Sequence, residues 1–135
     1  AYKLIGNLAK AGVKLNITAI MTIDQVKNVM MQLNPEVASY VSVFAGRIAD
    51  TGIDPLPLMK ECVEILKANP SAELIWASPR ELLNIFQADA IGCHVITVTN
   101  DVLKKLDLVG KDLDEYSLET VKMFYNDASA AGFKI

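Results

Sequence analysis

The chain has 135 residues, 52% of them hydrophobic and 21% charged, with a formal net charge of −3. That composition describes one globular domain with a sizeable core and excludes a disordered chain. A negative balance without a basic stripe excludes a surface that tracks nucleic-acid phosphates, and no apolar run approaches the roughly 18 residues of a membrane span.

The opening segment, AYKLIGNLAKAG, joins no basic head to an apolar core, so no signal peptide is expected. Tyr2 to Ala11 instead places Leu4, Ile5 and Leu8 at helical spacing, and Gly12 supplies a left-handed stop. Leu15 to Met21 reads as a strand, and Asp24 to Leu33 as a helix with Val26, Val29, Met30 and Leu33 inward. Tyr40 to Ala45 is the next strand, and it runs unexpectedly into the pair Gly46-Arg47. Pro55 and Pro57 mark the entrance of a helix over Leu58 to Ala68, which Asn69-Pro70 ends. Glu73 to Ala77 is a third strand, Arg80 to Gln87 a helix, Cys93 to Thr99 a fourth strand, and Asp101 to Leu106 another helix. A last amphipathic helix, about Ser117 to Ala131, turns Leu118, Val121, Phe124, Tyr125 and Ala128 inward.

Strands alternating with helices of this length predict an α/β fold with a parallel sheet. An open sheet of the flavodoxin type suits the length. Only four strands are visible, however, so the chain supplies about half the units of a (β/α)8 barrel. Residues 1–135 therefore read as a single partial domain, half of such a barrel, with 112–135 a C-terminal helix available for subunit contacts.

Polar pairs two apart near the strand ends, Asn16 with Thr18, Ser42 with Phe44, Trp76 with Ser78, and Thr97 with Thr99, are expected to share one face and one end of the sheet. That carboxyl end is where such folds build their chemistry. Cys62 and Cys93 form no C-x-x-C pair and read as reduced thiols of a cytoplasmic protein. His94 has the opposite parity to Thr97 and Thr99 and reads as a structural, hydrogen-bonded histidine. No metal-ligand cluster is visible.

At KLNITAIMTIDQ, SVFAGRIADTG and ASPRE the sequence resembles the transaldolase family, including its shorter branch of fructose-6-phosphate aldolases. The likeness covers nearly the whole chain. It implies a (β/α)8 barrel of which this chain is the C-terminal half, strands five to eight plus the final helix. It also implies class I chemistry. A lysine amine forms a Schiff base with a ketose, the adjacent carbon–carbon bond breaks, and a dihydroxyacetone unit is held and then passed to an aldehyde within the pentose phosphate pathway. The aldolase branch releases that unit instead. No cofactor and no metal are implied.

The Schiff-base lysine is implied upstream of Ala1, while Lys3, Lys10 and Lys14 read as solvated surface lysines. Thr18 is implied to position the catalytic water and Asn16 to bond the substrate. Ser42 is implied as a substrate hydroxyl, Arg47 as the phosphate arginine after strand six, and Ser78 and Arg80 as the rest of the phosphate pocket at a helix start. Asn16 and Phe44 favour transaldolase over aldolase; Phe44 alone also reads as an ordinary core aromatic, and Arg47 as a surface partner of Asp50 or Asp54. Pro79 departs from the family, which usually places an aromatic residue there. The implied partners are sugar-phosphate substrates and further copies of the chain, in a homo-oligomer. Two other readings remain at this level: a non-catalytic half-barrel that binds sugar phosphates, and an open-sheet regulatory domain.

Overall fold

The structure is a computed structural model and describes residues 1–133, so the end of the expected segment 112–135 lies outside the described residues. The chain forms two compact units, Ala1–Leu103 and a second from Lys104 onward. In the first, α1 (Tyr2–Lys10), β1 (Asn16–Ile20), α2 (Ile23–Gln32), β2 (Ser39–Val43), α3 (Ala45–Asp50), α4 (Pro55–Leu66), β3 (Ala72–Trp76), α5 (Leu83–Ile91) and β4 (Val95–Ile96) follow in order, and α6 (Asn100–Lys104) ends at the boundary. A 3-10 turn (Lys105–Leu108) and α7 (Leu113–Ala130) make up the second.

Local chemistry sets the helix starts. Thr22 and Gln25 form a reciprocal capping box at α2: Gln25 N donates to Thr22 Oγ1 at 3.2 Å and Thr22 N to Gln25 Oε1 at 3.1 Å. Asp54 accepts from Leu56 N at 2.9 Å to cap α4, with Pro55 at its first turn.

The four strands are parallel and stand in the order β1-β2-β3-β4. That order contains no reversal, which the doubly wound sheets of the flavodoxin type require. Helices α1, α2, α4 and α5 pack in sequence, each on the next. The core lies between them and one face of the sheet, where Val41, Val43, Leu74 and Trp76 meet Val26, Met59 and Leu66. Register then assigns the opposite face. Val41 lies beside Leu74 and Val43 beside Trp76, so Tyr40, Ser42, Glu73 and Ile75 point away from the helices. Ile75, though buried, stands outside that core cluster.

Several expectations change here. Trp76 belongs to the helix-covered face and Ser42 to the other, so the polar pairs do not all share one face. The six residues of α3 replace the expected strand rim around Arg47. The fourth strand is two residues long, not seven, and His94 Nδ1 accepts the Leu74 N–H at 2.9 Å at the position just before β4 pairs with β3. The stripe on α7 expected to face inward is exposed: Leu118 is 55%, Val121 60% and Phe124 62% accessible. Among the described residues this unit comprises one turn and one helix, and they hold nothing to bury that stripe. No helix among the described residues is long and apolar enough to cross a membrane.

Candidate functional site

Strain marks the carboxyl ends of the strands. Among the described residues only Ala19 (φ 61) and Ser78 (φ 58) are non-glycine residues with left-handed backbone, and each lies at or just beyond the end of a strand. Such conformations cost of order 1–3 kcal/mol each and cluster at functional sites. At Ala19 the cause is a bulge: Ile17 pairs with Val41 but Ile20 with Val43, so Thr18 and Ala19 together oppose Ser42. The bulge leaves Thr18 exposed on the face away from the helices, while Ser42 beside it is buried. Asn16 is also exposed, but it opens β1 at the amino end and pairs with Tyr40, not with Ser42. The expectation that it stands near the carboxyl end is therefore corrected, since two residues of strand place it about 7 Å below Thr18.

After β2 the backbone leaves the sheet at Phe44 (φ −83, ψ 65) and enters α3. Arg47 is exposed on this helix, and its guanidinium carbon lies 5.8 Å from the centre of the half-buried Phe44 ring. The quadrupole of the ring attracts the cation and supports it. Among the described residues Arg47 makes no ion pair; the carboxylate expected as its partner, Asp50, belongs to a different arginine.

That arginine is Arg80. Its Nε donates to Asp50 Oδ1 at 3.2 Å and its Nη2 to Asp50 Oδ2 at 2.5 Å, a two-point fork. The bond from Arg80 holds the Asp50 carboxyl below the usual carboxylate range, the charges of Arg80 and Arg47 adding to it, while Asp50 raises the pKa of Arg80. Asp50 thus sits within the electrostatic reach of both candidate phosphate arginines.

Arg80 does not stand at a helix start. The chain turns left-handed at Ser78, Pro79 follows, and α5 begins only at Leu83. The backbone N–H of Arg80 is therefore not free for an anion as a helix start would leave it: it and the N–H of Glu81 both donate to Asn84 Oδ1 at 2.9 Å. The side chain of Arg80, not its backbone, remains to meet a ligand. Ser78, Arg80, Thr97 and Thr99 line one hollow of about 330 Å³. Asn16, Thr18, Ser42, Phe44 and Arg47 do not line it; Thr18 lies on β1, two strands from β3.

A backbone contact joins α3 to the Arg80 loop. Gly46 N donates to Ala77 O at 3.2 Å, and a Cβ on Gly46 would collide with the carbonyl of Ser78. Sequence reasoning passed over Asp50 as a functional residue, and over Asn84 and the packing role of Gly46; the only available signal was a glycine beside an arginine at a strand end.

Other reactive groups are poorly placed or quenched. Burial pushes the Cys62 thiol up to about 12 and raises Cys93, so neither offers a thiolate near neutrality. Lys3, Lys10 and Lys14 are exposed, and Lys14 precedes the amino end of β1. Among the described residues no group of three or more His, Cys, Asp or Glu side chains is placed to hold a metal ion. The site can grip an anion and offer hydroxyls; it contains no evident nucleophile.

Comparison with known proteins supplies the context. The family model described as transaldolase/fructose-6-phosphate aldolase matches residues 1–135. A probable transaldolase of Thermoanaerobacter sp. (strain X514) is 33% identical over 134 residues, covering 98% of this chain and 58% of that protein. Probable transaldolases of Methanococcus vannielii and Clostridium kluyveri are 35% and 34% identical over 105 residues, each covering 77% of this chain and 47% of the relative. The chain spans about half the length of the curated relatives it matches.

The Gly46 contact generates an expected outcome. Gly46→Ala forces one of two packed backbones to move, so urea denaturation should show a loss of about 1–3 kcal/mol. An unchanged midpoint would mean that the two segments are free to part.

Proposed function

The chain belongs to the transaldolase/fructose-6-phosphate aldolase family, and we propose that it forms strands five to eight and the final helix of a (β/α)8 barrel acting as a Schiff-base transaldolase. In this reading a lysine supplied from sequence before Ala1 attacks the carbonyl of a ketose phosphate and water is lost. The resulting protonated imine takes up the electron pair of the breaking carbon–carbon bond. The aldehyde departs, and the retained dihydroxyacetone unit is passed to a second sugar phosphate in the pentose phosphate pathway.

Three features support the barrel: a sequential parallel order, helices packed in sequence, and a second sheet face, carrying Tyr40, Ser42, Glu73 and Ile75, that points away from those helices. Coverage of about half of each curated relative agrees with it.

The observation that carries the phosphate reading is the two-point hold of Arg80 on Asp50, which closes the same short helix that carries Arg47 three residues earlier. Arginine suits a phosphoryl group because its planar fork keeps both charge and geometry. Arg47 and Arg80 are proposed as the phosphate ligands, with Ser78 beside Arg80 and Phe44 as the platform beneath Arg47. Thr18 is proposed to orient the water that moves protons. Asn16, exposed on the same strand two residues before it, and Ser42 are proposed to bind the sugar hydroxyls.

Asn16 and Phe44 incline the reading to transaldolase, with fructose-6-phosphate cleavage as the alternative. A half-barrel that binds sugar phosphates without reacting is the other alternative, favoured by the absence of an evident nucleophile among the described residues. The exposed apolar stripe of α7 supports a role in subunit contacts of a homo-oligomer. A cytoplasmic setting with free cysteines is proposed with it.

Borohydride added to the full-length protein with fructose 6-phosphate should trap a covalent adduct on one lysine, seen as a mass increase. An unmodified protein under turnover conditions would defeat the Schiff-base reading. Arg47→Ala should raise KM for the phosphorylated donor about tenfold or more, as expected for losing a charge-assisted contact; an unchanged KM would remove Arg47 from the phosphate site.

A further inference from the structure

We infer that Asp50 is a positioning residue of the anion site: its carboxylate holds Arg80 by one edge of the guanidinium and leaves the other edge for a phosphoryl group. The inference rests on the proposed role of Arg80 as a phosphate ligand.

The geometry of the fork carries it. A guanidinium has five N–H donors, and Asp50 engages one on Nε and one on Nη2. Three donors remain, two on Nη1 and one on Nη2, and one from each nitrogen forms a second planar edge of the kind that meets two phosphate oxygens side by side. A half-exposed arginine without a partner samples many rotamers and loses that freedom when a ligand binds. Here both ends of Arg80 are already fixed. Asn84 takes its backbone N–H at 2.9 Å, and Asp50 takes its head.

Asp50 is itself well anchored. It closes α3, whose first turn is pressed against Ser78 by Gly46 and whose end is tied by the Thr51 hydroxyl, which donates to Ile48 O at 2.7 Å. It lies three residues after Arg47, so one short helix carries both a candidate ligand and the clamp for the other. The charge balance also suits an anion: Arg47, Asp50 and Arg80 sum to one positive charge, enough to attract a phosphoryl group.

A carboxylate beside a phosphate arginine has two other possible effects. It can compete for the guanidinium, in which case its removal tightens phosphate binding. It can be an inert surface pair, in which case removal changes nothing; many exposed pairs behave so. The three cases differ in sign.

The test uses the full-length protein, measuring kcat and KM for fructose 6-phosphate and the Ki of inorganic phosphate as a competitive inhibitor. Asp50→Asn should raise KM and Ki together by about three- to fivefold, the range of a modest exposed ion pair, with kcat within about twofold. Asp50→Glu, which retains the charge, should recover most of the loss. In an Arg80→Ala background, which alone weakens phosphate, adding Asp50→Asn should change nothing further. Unchanged or tighter phosphate binding in Asp50→Asn, while Arg80→Ala weakens it, overturns the inference and leaves the phosphate reading standing. Loss of kcat and thermal stability in step with KM also overturns it, because a merely structural residue behaves that way. Unchanged KM and Ki in Arg80→Ala remove the phosphate reading at Arg80 itself, and the inference with it.

Discussion

Where Gly46 rests against the carbonyl of Ser78, two segments of the chain come too close for any side chain between them. The β2–β3 ladder continues past both strands to reach that point: Ala77 N donates to Val43 O at 2.9 Å, and Gly46 N to Ala77 O at 3.2 Å. These bonds fix α3 and the Ser78–Arg80 loop as one body, and the candidate ligands ride on it. Arg47 comes from α3, which also carries the Asp50 clamp, and Arg80 from the loop. The left-handed turn at Ser78 costs about 1–3 kcal/mol. It is offset by the core immediately beneath, where Trp76 and Val43 are 1% and 0% exposed. A rigid core thus supports a strained rim, which is how a binding site keeps its geometry without a ligand.

Charge and chemistry divide between elements. Two arginines and one carboxylate stand near the strand ends, where an anion site is proposed, and hydroxyls of Ser78, Thr97 and Thr99 line the hollow that Arg80 borders. The side chains able to react covalently are elsewhere or protonated: Cys62 is held near 12 by burial, and Lys14 stands at the amino end of β1. Binding and orientation are therefore the work these residues can do. The family match runs over the whole chain, and the chain covers about half the length of the curated relatives it matches.

Much of this was legible in the sequence, for physical reasons. Val26, Val29, Met59, Val63 and Leu66 repeat at helical spacing and are buried. Val41, Val43, Leu74 and Trp76 lie at alternate positions, as a strand with one face on a core must. What escaped was what periodicity does not carry. Six residues, Ala45–Asp50, are too few to show a helical stripe after an apolar strand. Trp76 shares the parity of Ser78 in the sequence because nothing there announces that the backbone turns left-handed at Ser78. Ala19 hides its bulge for the same reason. The partner of Asp50 was sought three residues away at Arg47 and lies 30 residues on at Arg80. Such a pairing is decided by the close approach at Gly46, which local sequence does not encode. The exposed stripe of α7 shows the converse: a helix can be amphipathic while the described residues of its own unit offer nothing to cover it.

The most direct measurement is a crystal structure of the full-length protein with a bound sugar phosphate. The account expects the phosphoryl group within hydrogen-bond distance of both Arg47 and Arg80, with Asp50 still holding the opposite edge of Arg80. A phosphoryl group bound elsewhere, with both guanidinium groups turned to solvent, would contradict it.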